Sequence, residues 1–276
     1  MKSIAFITGA AGGMGTAIAR LLGRTQRLML TDLNADRLEA LLATLSDEGY
    51  QAEGLAGDLA EAGLATSLAE QCTKAGPIRS VVNATGLSPV QADWASIIRA
   101  NSIGPARLLA AFETLLERGT ACVMIASVSG HLGPQDAVAE SLLRDALQPE
   151  LLDALKPRLS ALVAEQGGTM EGHAYSLSKR AIISLCERRA IAWGSKGARI
   201  VSLSPGVVWT PMGRKEAESG NRAQALVDAT PAGRWGHAMD IATTAEFLLS
   251  DAASYITGSD IRVDGGAVAA MRGAAF

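Results

Sequence analysis

Short apolar runs alternate with longer amphipathic stretches along this chain. The runs at 3–7, 27–31, 51–56, 80–83, 121–126, 199–203 and 260–263 read as strands. Between them, 14–23, 35–45, 59–74, 94–117, 174–193 and 240–250 carry apolar residues at helical spacing. Strand–helix alternation of this kind predicts a parallel sheet covered by helices on both faces. Right-handed crossovers then give a doubly wound α/β (Rossmann) fold of seven strands, one domain over 1–276, with its ligand outside the C-terminal ends of the strands.

One segment breaks the rhythm. Residues 131–172 hold no strand pattern. Val138, Leu142, Leu143, Leu147, Leu151, Leu152, Leu155, Leu159, Leu162 and Val163 recur there at helical spacing. Pro149 and Pro157 each start or bend a helix, so two or three short helices are expected, ending at Gly167 and Gly168. The insert reads either as a lid or wall over a substrate, or as an external knob or oligomer contact.

Composition narrows the class. The chain has 276 residues, 48% of them hydrophobic and only 4% aromatic, with a net charge of −3. That is the profile of a helix-rich soluble enzyme. No Lys/Arg stripe favours nucleic acid, and no apolar window spans a membrane. Cys72, Cys122 and Cys186 lack metal spacing and read as buried hydrophobes in a reducing compartment, so a cytoplasmic protein without a metal is expected.

The sequence TGAAGGMG at 8–15 joins the first strand to the first helix. Gly9 permits a tight turn, Gly13 removes a Cβ where a pyrophosphate must approach, and Gly15 lets helix and sheet pack closely. The helix N-terminus offers N–H groups to phosphates. Asp32 ends the second strand, 17 residues after Gly15. A carboxylate there accepts hydrogen bonds from ribose hydroxyls and repels a 2′-phosphate. No Lys or Arg directly follows it or sits in the glycine loop, which favours NAD(H) over NADP(H). Asn34 is left to cap the next helix. Asp58 either meets the adenine or caps the helix after the third strand.

Tyr175 and Lys179 stand four residues apart, on one helix face. A phenol is a poor base at neutral pH, and a nearby cation favours its anion. Ser127, after the fifth strand, is suited to hold a substrate oxygen, with Ser129 as a rival. Asn101 is locally unfavourable inside a helix. It either holds a water in a proton relay or kinks the helix with its amide satisfied. Leu87, Ser88, Pro89, His131, Leu132, Trp209 and Met212 are candidates for a substrate wall. The charged segment 211–229 reads as a lid that orders on binding, or as a rigid surface helix. His131 and His173 read as polar lining, Trp193 and Trp235 as packing.

With these motifs the chain resembles the short-chain dehydrogenases/reductases over essentially its whole length. VVNATG at 81–86, LSPGVVWTP at 203–211, SYITG at 254–258 and VDGG at 263–266 add to the likeness. The resemblance implies that Asn101, Ser127, Tyr175 and Lys179 form the catalytic set and that Asn83 steadies the sheet beside the cofactor. It also implies that Pro205 and Gly206 form a turn after which Val208 and Thr210 meet the nicotinamide carboxamide. Met14, Leu59 and Ala84 complete the cofactor-binding set, with Tyr175 and Lys179 shared. Two departures stand out: Asn83-Ala84-Thr85-Gly86 replaces the usual Asn-Ala-Gly, and 48 residues separate Ser127 from Tyr175. The insert, AEQGG at 164–168 and the tail after 263 are similar to bacterial 3α-hydroxysteroid dehydrogenase/carbonyl reductases. That subfamily implies a bulky apolar secondary alcohol or ketone. The alternatives are a smaller cyclic or aryl ketone or diketone, or a dinucleotide-sensing regulator without turnover. Family members are commonly homo-oligomers, which is the expectation here.

Overall fold

The structure is a computed structural model that describes residues 2–218, 220 and 222–273. Among the described residues nine strands form: β1 (Ile4–Thr8), β2 (Arg27–Thr31), β3 (Ala52–Gly54), β4 (Ile78–Asn83), β5 (Ala121–Ile125), β6 (Arg199–Pro205), β7 (Val208–Trp209), β8 (Gly236–His237) and β9 (Asp260–Val263). Seven make one parallel sheet in the order β3-β2-β1-β4-β5-β6-β9, and β7 pairs with β8. The seven expected strands are therefore all present.

Period-2 alternation sends successive side chains to opposite faces. Ala5, Ile7, Leu28, Leu30, Val82, Val123, Ile125 and Leu203 build one core against helices Gly13–Gly23 and Ala238–Leu249. Ile4, Phe6, Met29, Val81, Cys122, Met124 and Ile200 build the other, against Leu64–Ala75, Gly104–Phe112 and Met170–Ser195. Both faces are dry, so the strands read as continuous apolar runs rather than alternating ones. Chain order reverses between β1 and β4, which opens a crevice at their C-terminal ends.

Two helices depart from the sequence expectation. The helix expected at 59–74 starts only at Leu64, after Gly63 in a left-handed conformation (φ 96°). Asp58 thus does not cap it; its Oδ1 accepts from the Ala60 N–H (2.8 Å) in a turn of its own. The long helix expected at 94–117 divides into Trp94–Ile98, a π-turn Arg99–Ile103, Gly104–Phe112 and a 3₁₀ turn Glu113–Leu115. Pro105 explains the π-turn, because it has no N–H to return to the Asn101 carbonyl four residues back.

The insert contains two helices, Ala137–Arg144 and Leu151–Gln166, with Pro157 inside the second. Gly167 and Gly168, both at positive φ, stop it, and Thr169 caps the helix Met170–Ser195 that carries Tyr175. Leu143, Leu151, Leu155, Leu159 and Leu162 bury against Ile97, Ile98, Ala174 and Leu177. An Arg158–Asp136 ion pair ties the two insert helices together, and Asp136 also caps the first. The insert thus buttresses the Tyr175 helix. None of its residues lines the crevice. Among the described residues, no helix is long and apolar enough to cross a membrane.

Candidate active site

The crevice between β1 and β4 is a cavity of about 270 Å³. Its walls follow from the glycine loop. Gly9 has φ +61°, and a Cβ on it would stand 2.7 Å from the Ala84 carbonyl. A Cβ on Gly15 would stand 2.2 Å from the Gly9 oxygen. A Cβ on Gly13 would meet the Thr210 side chain at 2.9 Å, so this glycine also makes room for the Thr210 turn. The helix Gly13–Gly23 begins at Gly12 with no side-chain cap and no acid in its first turn, which leaves its N–H groups facing the crevice, a fit for phosphate oxygens. Gly9, Gly13, Met14, Gly15, Asp32, Asp58, Leu59, Ala84 and Thr210 all line the cavity. Asn83 sits behind it, where its Oδ1 accepts from the Thr8 hydroxyl (2.7 Å), and Thr85 donates to Thr8 in turn (2.8 Å). Thr85, the extra residue of the loop, therefore takes part in the same buried network.

At the far end of the crevice the two Asp32 oxygens accept from Ala11 N–H (3.0 Å) and Asn34 N–H (3.1 Å). Asn34 caps Ala35–Asp47 through Arg37 N–H, as expected. The cap also brings the Arg37 side chain back to the Ala11 carbonyl, where it lines the cavity beside Asp32. The sequence reading missed this basic residue, because the capped first turn, not adjacency along the chain, delivers it.

The reactive group lies behind the inner end of the crevice. Lys179 is 5% exposed; its Nζ donates to the Ile125 carbonyl (3.1 Å) and stands 5.8 Å from the Tyr175 ring centroid. A Cβ on Gly86 would be 3.1 Å from that Nζ and 3.4 Å from Asn101 Oδ1, so Gly86 lets both side chains reach the same point. Asn101 is 1% exposed and both ends of its amide are bonded: Oδ1 accepts from Leu87 N–H (2.8 Å), and Nδ2 donates to the Leu87 carbonyl (3.0 Å) and to Ser178 Oγ (3.2 Å). Ser127 Oγ accepts from Ser129 N–H (3.1 Å) and acts on the Tyr175 phenol.

The electrostatics differ from the expectation of a lowered phenol pKa. Burial pushes the Tyr175 phenol up to about 12, the Glu216 charge adds to the rise, and the Ser127 hydrogen bond opposes it. Burial lowers the Lys179 ammonium to about 8, against an opposing pull from Glu216. Glu216 itself is raised by burial, with Ser88 and Lys179 opposing. It belongs to the helix Pro211–Glu218, whose Pro211, Met212 and Lys215 line the crevice. The sequence reading passed over Glu216, although its spacing of four from Met212 was visible.

The remaining candidates fall as follows. His131 Nε2 pairs with Asp260 Oδ2 (2.8 Å), outside the crevice, because the β9 carboxylate captures it. His173 bonds the Gly167 carbonyl (2.8 Å) at the helix start. Trp209, 46% exposed, meets Trp235 edge-on at 4.9 Å and does not line the crevice. Met212 and Leu87 do line it. Pro205, Gly206 and Val208 do not line this cavity; the Pro205 carbonyl accepts from Val128 N–H (3.0 Å), and the Val208 carbonyl accepts from Thr210 N–H (2.9 Å). The three thiols are buried and unpaired, and burial raises each of them. No group of three His, Cys, Asp or Glu side chains among the described residues is arranged to hold a metal.

Two family models match the chain: "short chain dehydrogenase" over residues 3–139 and "Enoyl-(Acyl carrier protein) reductase" over 158–268. The stretch between them falls inside the insert. The chain is 33% identical to the D-threitol dehydrogenase of Mycolicibacterium smegmatis, over 95% of this chain and 92% of that protein. It is 31% identical to the 3-alpha-hydroxysteroid dehydrogenase/carbonyl reductase of Comamonas testosteroni, over 99% of this chain and 100% of that one. A solved glucose/ribitol dehydrogenase structure from Brucella melitensis superimposes with a TM-score of 0.76 at 25% identity, covering 96% of each chain.

Proposed function

The chain belongs to the short-chain dehydrogenase/reductase family, and on that premise we propose that it interconverts a secondary alcohol and its ketone with NAD(H). The observation that carries the reading is the meeting of Tyr175, Lys179 and Ser127 behind the inner end of a glycine-walled cleft. A nicotinamide dinucleotide held there supplies the hydride acceptor for oxidation and the hydride donor for reduction. The glycine loop and the uncapped helix start would hold its phosphates, Asp32 its ribose hydroxyls, and Thr210 its inner end.

Tyr175 exchanges the proton with the substrate oxygen, and Ser127 holds that oxygen. In reduction the neutral phenol is already the proton donor. Oxidation needs the phenolate, which burial and Glu216 oppose and a positive Lys179 favours. Asn101 acts as a positioning residue: it fixes the Leu87 backbone and, through Ser178, the Tyr175 helix, since Ser178 Oγ donates to the Tyr175 carbonyl (2.8 Å).

The NAD preference rests on the Asp32 carboxylate; Arg37 beside it is the feature that weighs toward NADP. The bulky apolar substrate draws support from the whole-length likeness to the Comamonas enzyme. Three buried free thiols fit a reducing, cytoplasmic setting. Ile191, 83% exposed on the Tyr175 helix, is in keeping with a homo-oligomer. The test is reduced-nicotinamide formation from NAD⁺ and a panel of secondary alcohols, a 3α-hydroxysteroid included. Wild-type turnover that Tyr175→Phe lowers by at least about 10²-fold supports the reading; undiminished turnover in the variant rejects it.

A further inference from the structure

His131 comes four residues after Ser127, yet it does not line the crevice, and the mechanism above gives it no task. Its Nε2 bonds Asp260 Oδ2 at 2.8 Å. Asp260 is a buried carboxylate on β9, its side chain 8% exposed. The other oxygen, Oδ1, accepts from the Ser202 hydroxyl (2.6 Å) and the Ser204 hydroxyl (3.0 Å). Both serines belong to β6 and have no exposed surface, and Ser202 stands opposite Asp260 in the sheet register. Residues two apart share a face of a strand, so one oxygen gathers both hydroxyls. Among the described residues, His131 is the one partner of Oδ2.

The segment from Ser127 to His131 is a single tight turn. Ser127 Oγ accepts from Ser129 N–H (3.1 Å), and the Ser127 carbonyl accepts from Gly130 N–H (3.0 Å). The His131 and Leu132 N–H groups both return to the Val128 carbonyl (2.9 and 3.0 Å). A shift of this turn therefore carries the Ser127 hydroxyl with it. At its start, Val128 N–H donates to the Pro205 carbonyl at the end of β6 (3.0 Å). Along its flank it presses on the Tyr175 helix: a Cβ on Gly130 would stand 2.9 Å from the Arg180 nitrogen and 3.0 Å from the Lys179 carbonyl carbon. Three side chains then hold its far end. Arg180 donates to the Gly130 carbonyl (3.3 Å), Arg272 to the His131 carbonyl (3.2 Å), and the His131 ring bonds Asp260. Arg272 is exposed, and Arg180 is shared with Glu140 (2.7 Å). The His131 bond ends on a buried carboxylate and is the strongest of the three.

Resting on the dehydrogenase reading above, we infer that His131 is a positioning residue: through Asp260 it holds the Ser129–Leu132 turn so that the Ser127 hydroxyl is presented to the substrate oxygen beside Tyr175. The physical reason is the orphan that its loss creates. Without the ring, Asp260 Oδ2 is buried with no partner, which costs the desolvation of that atom. The turn relaxes to let water or another donor reach it, and Ser127 moves with the turn. A displacement of about 1 Å at a reacting centre lowers a rate by about 10²-fold. His131 does not line the cofactor crevice, so the defect falls on turnover and not on dinucleotide affinity.

The experiment compares the wild type with His131→Leu and His131→Gln. Leucine fills a similar volume without a hydrogen-bonding group, whereas glutamine places an amide N–H near the position of Nε2. NAD⁺ reduction by butan-2-ol, cyclohexanol and a 3α-hydroxysteroid is expressed per NADH site titrated by fluorescence, so unfolded protein does not count. The expected result is a kcat about 10- to 100-fold lower in His131→Leu and largely restored in His131→Gln, with the NADH dissociation constant within about 2-fold of the wild type in both. Amide exchange across residues 127–132 should be faster in His131→Leu and near the wild-type rate in His131→Gln. Equal kcat in the wild type and His131→Leu overturns the inference. So does a loss that His131→Gln shares in full, or one that NADH affinity follows in parallel. Wild-type turnover that Tyr175→Phe leaves undiminished, or no turnover with any of the three alcohols, instead overturns the parent reading and this inference with it.

Discussion

Tyr175 and Lys179 illustrate how one environment moves two side chains in opposite directions. Burial disfavours the charged form of each, so the phenol rises to about 12 and the ammonium falls to about 8. The kcat/KM profile reports ionisations of the free enzyme. For ketone reduction the phenol stays protonated across the neutral and mildly alkaline range, so the alkaline limit belongs to Lys179. With its pKa lowered, Lys179 is positive below about pH 8 and neutral above it. The expected profile is a one-proton decline above about pH 8 that is missing from the residual activity of Lys179→Arg, whose guanidinium keeps its charge. A wild-type profile flat past about pH 10, where an ordinary lysine titrates, would sink this assignment. A second residue-scale outcome concerns Asp32. Replacing it with Ser removes the charge that repels a 2′-phosphate and leaves Arg37 to attract it. The NADP⁺/NAD⁺ ratio of kcat/KM should rise by about 10-fold or more, since a charge-assisted hydrogen bond contributes roughly 1.5–3 kcal/mol. An unchanged ratio would mean that Asp32 does not face the ribose.

At the scale of elements, the insert and the π-turn share one purpose, which is to hold the Tyr175 helix and the Leu87 loop in register. The insert core closes over Ile97, Ile98, Ala174 and Leu177, residues of the two helices that carry Asn101 and Tyr175 or adjoin them. Leu155 is fully buried at its centre. Leu155→Ala should therefore destabilise the protein by about 2–5 kcal/mol, as a cavity in a well-packed core does. Denaturation followed by far-UV signal and by tryptophan fluorescence should give one shared midpoint, shifted down. Two separated transitions would show that the insert folds as an independent knob. The periodicity of the insert made its helices legible, but an amphipathic face does not name its partner. What it covers was decided by Ile97, Ile98, Ala174 and Leu177, which converge only once the sheet is wound.

On the scale of the whole molecule, the crevice is built from both halves of the chain, with the glycine loop from one and Thr210 and Met212 from the other. Ligand binding there should stabilise the entire fold by mass action, about 2.7 kcal/mol at NADH one hundred times its dissociation constant. It should also slow amide exchange in Pro211–Glu218. Stabilisation without slowed exchange there would argue that this helix is a rigid cover, the alternative reading of the segment. The sheet, the glycine turn, the Asn34 cap and the Tyr175–Lys179 pairing were legible in the sequence, because each is set by local backbone geometry or by spacing within one element. Asp32 was legible as a strand end, but Arg37 beside it was not, since a side chain reaching back over a capped turn leaves no trace in adjacency. The partner of His131 was not legible for the same reason: it is 129 residues away, on β9. The direction of the Tyr175 shift, the partners of the Asn101 amide and the influence of the Glu216 charge on Tyr175 and Lys179 all depend on which groups burial brings together. Pattern and spacing thus determined the fold and the chemical alphabet of the site. Desolvation and contacts between distant segments, which exist only in the folded chain, decided the charge states, the partners and the face the site shows to its substrate.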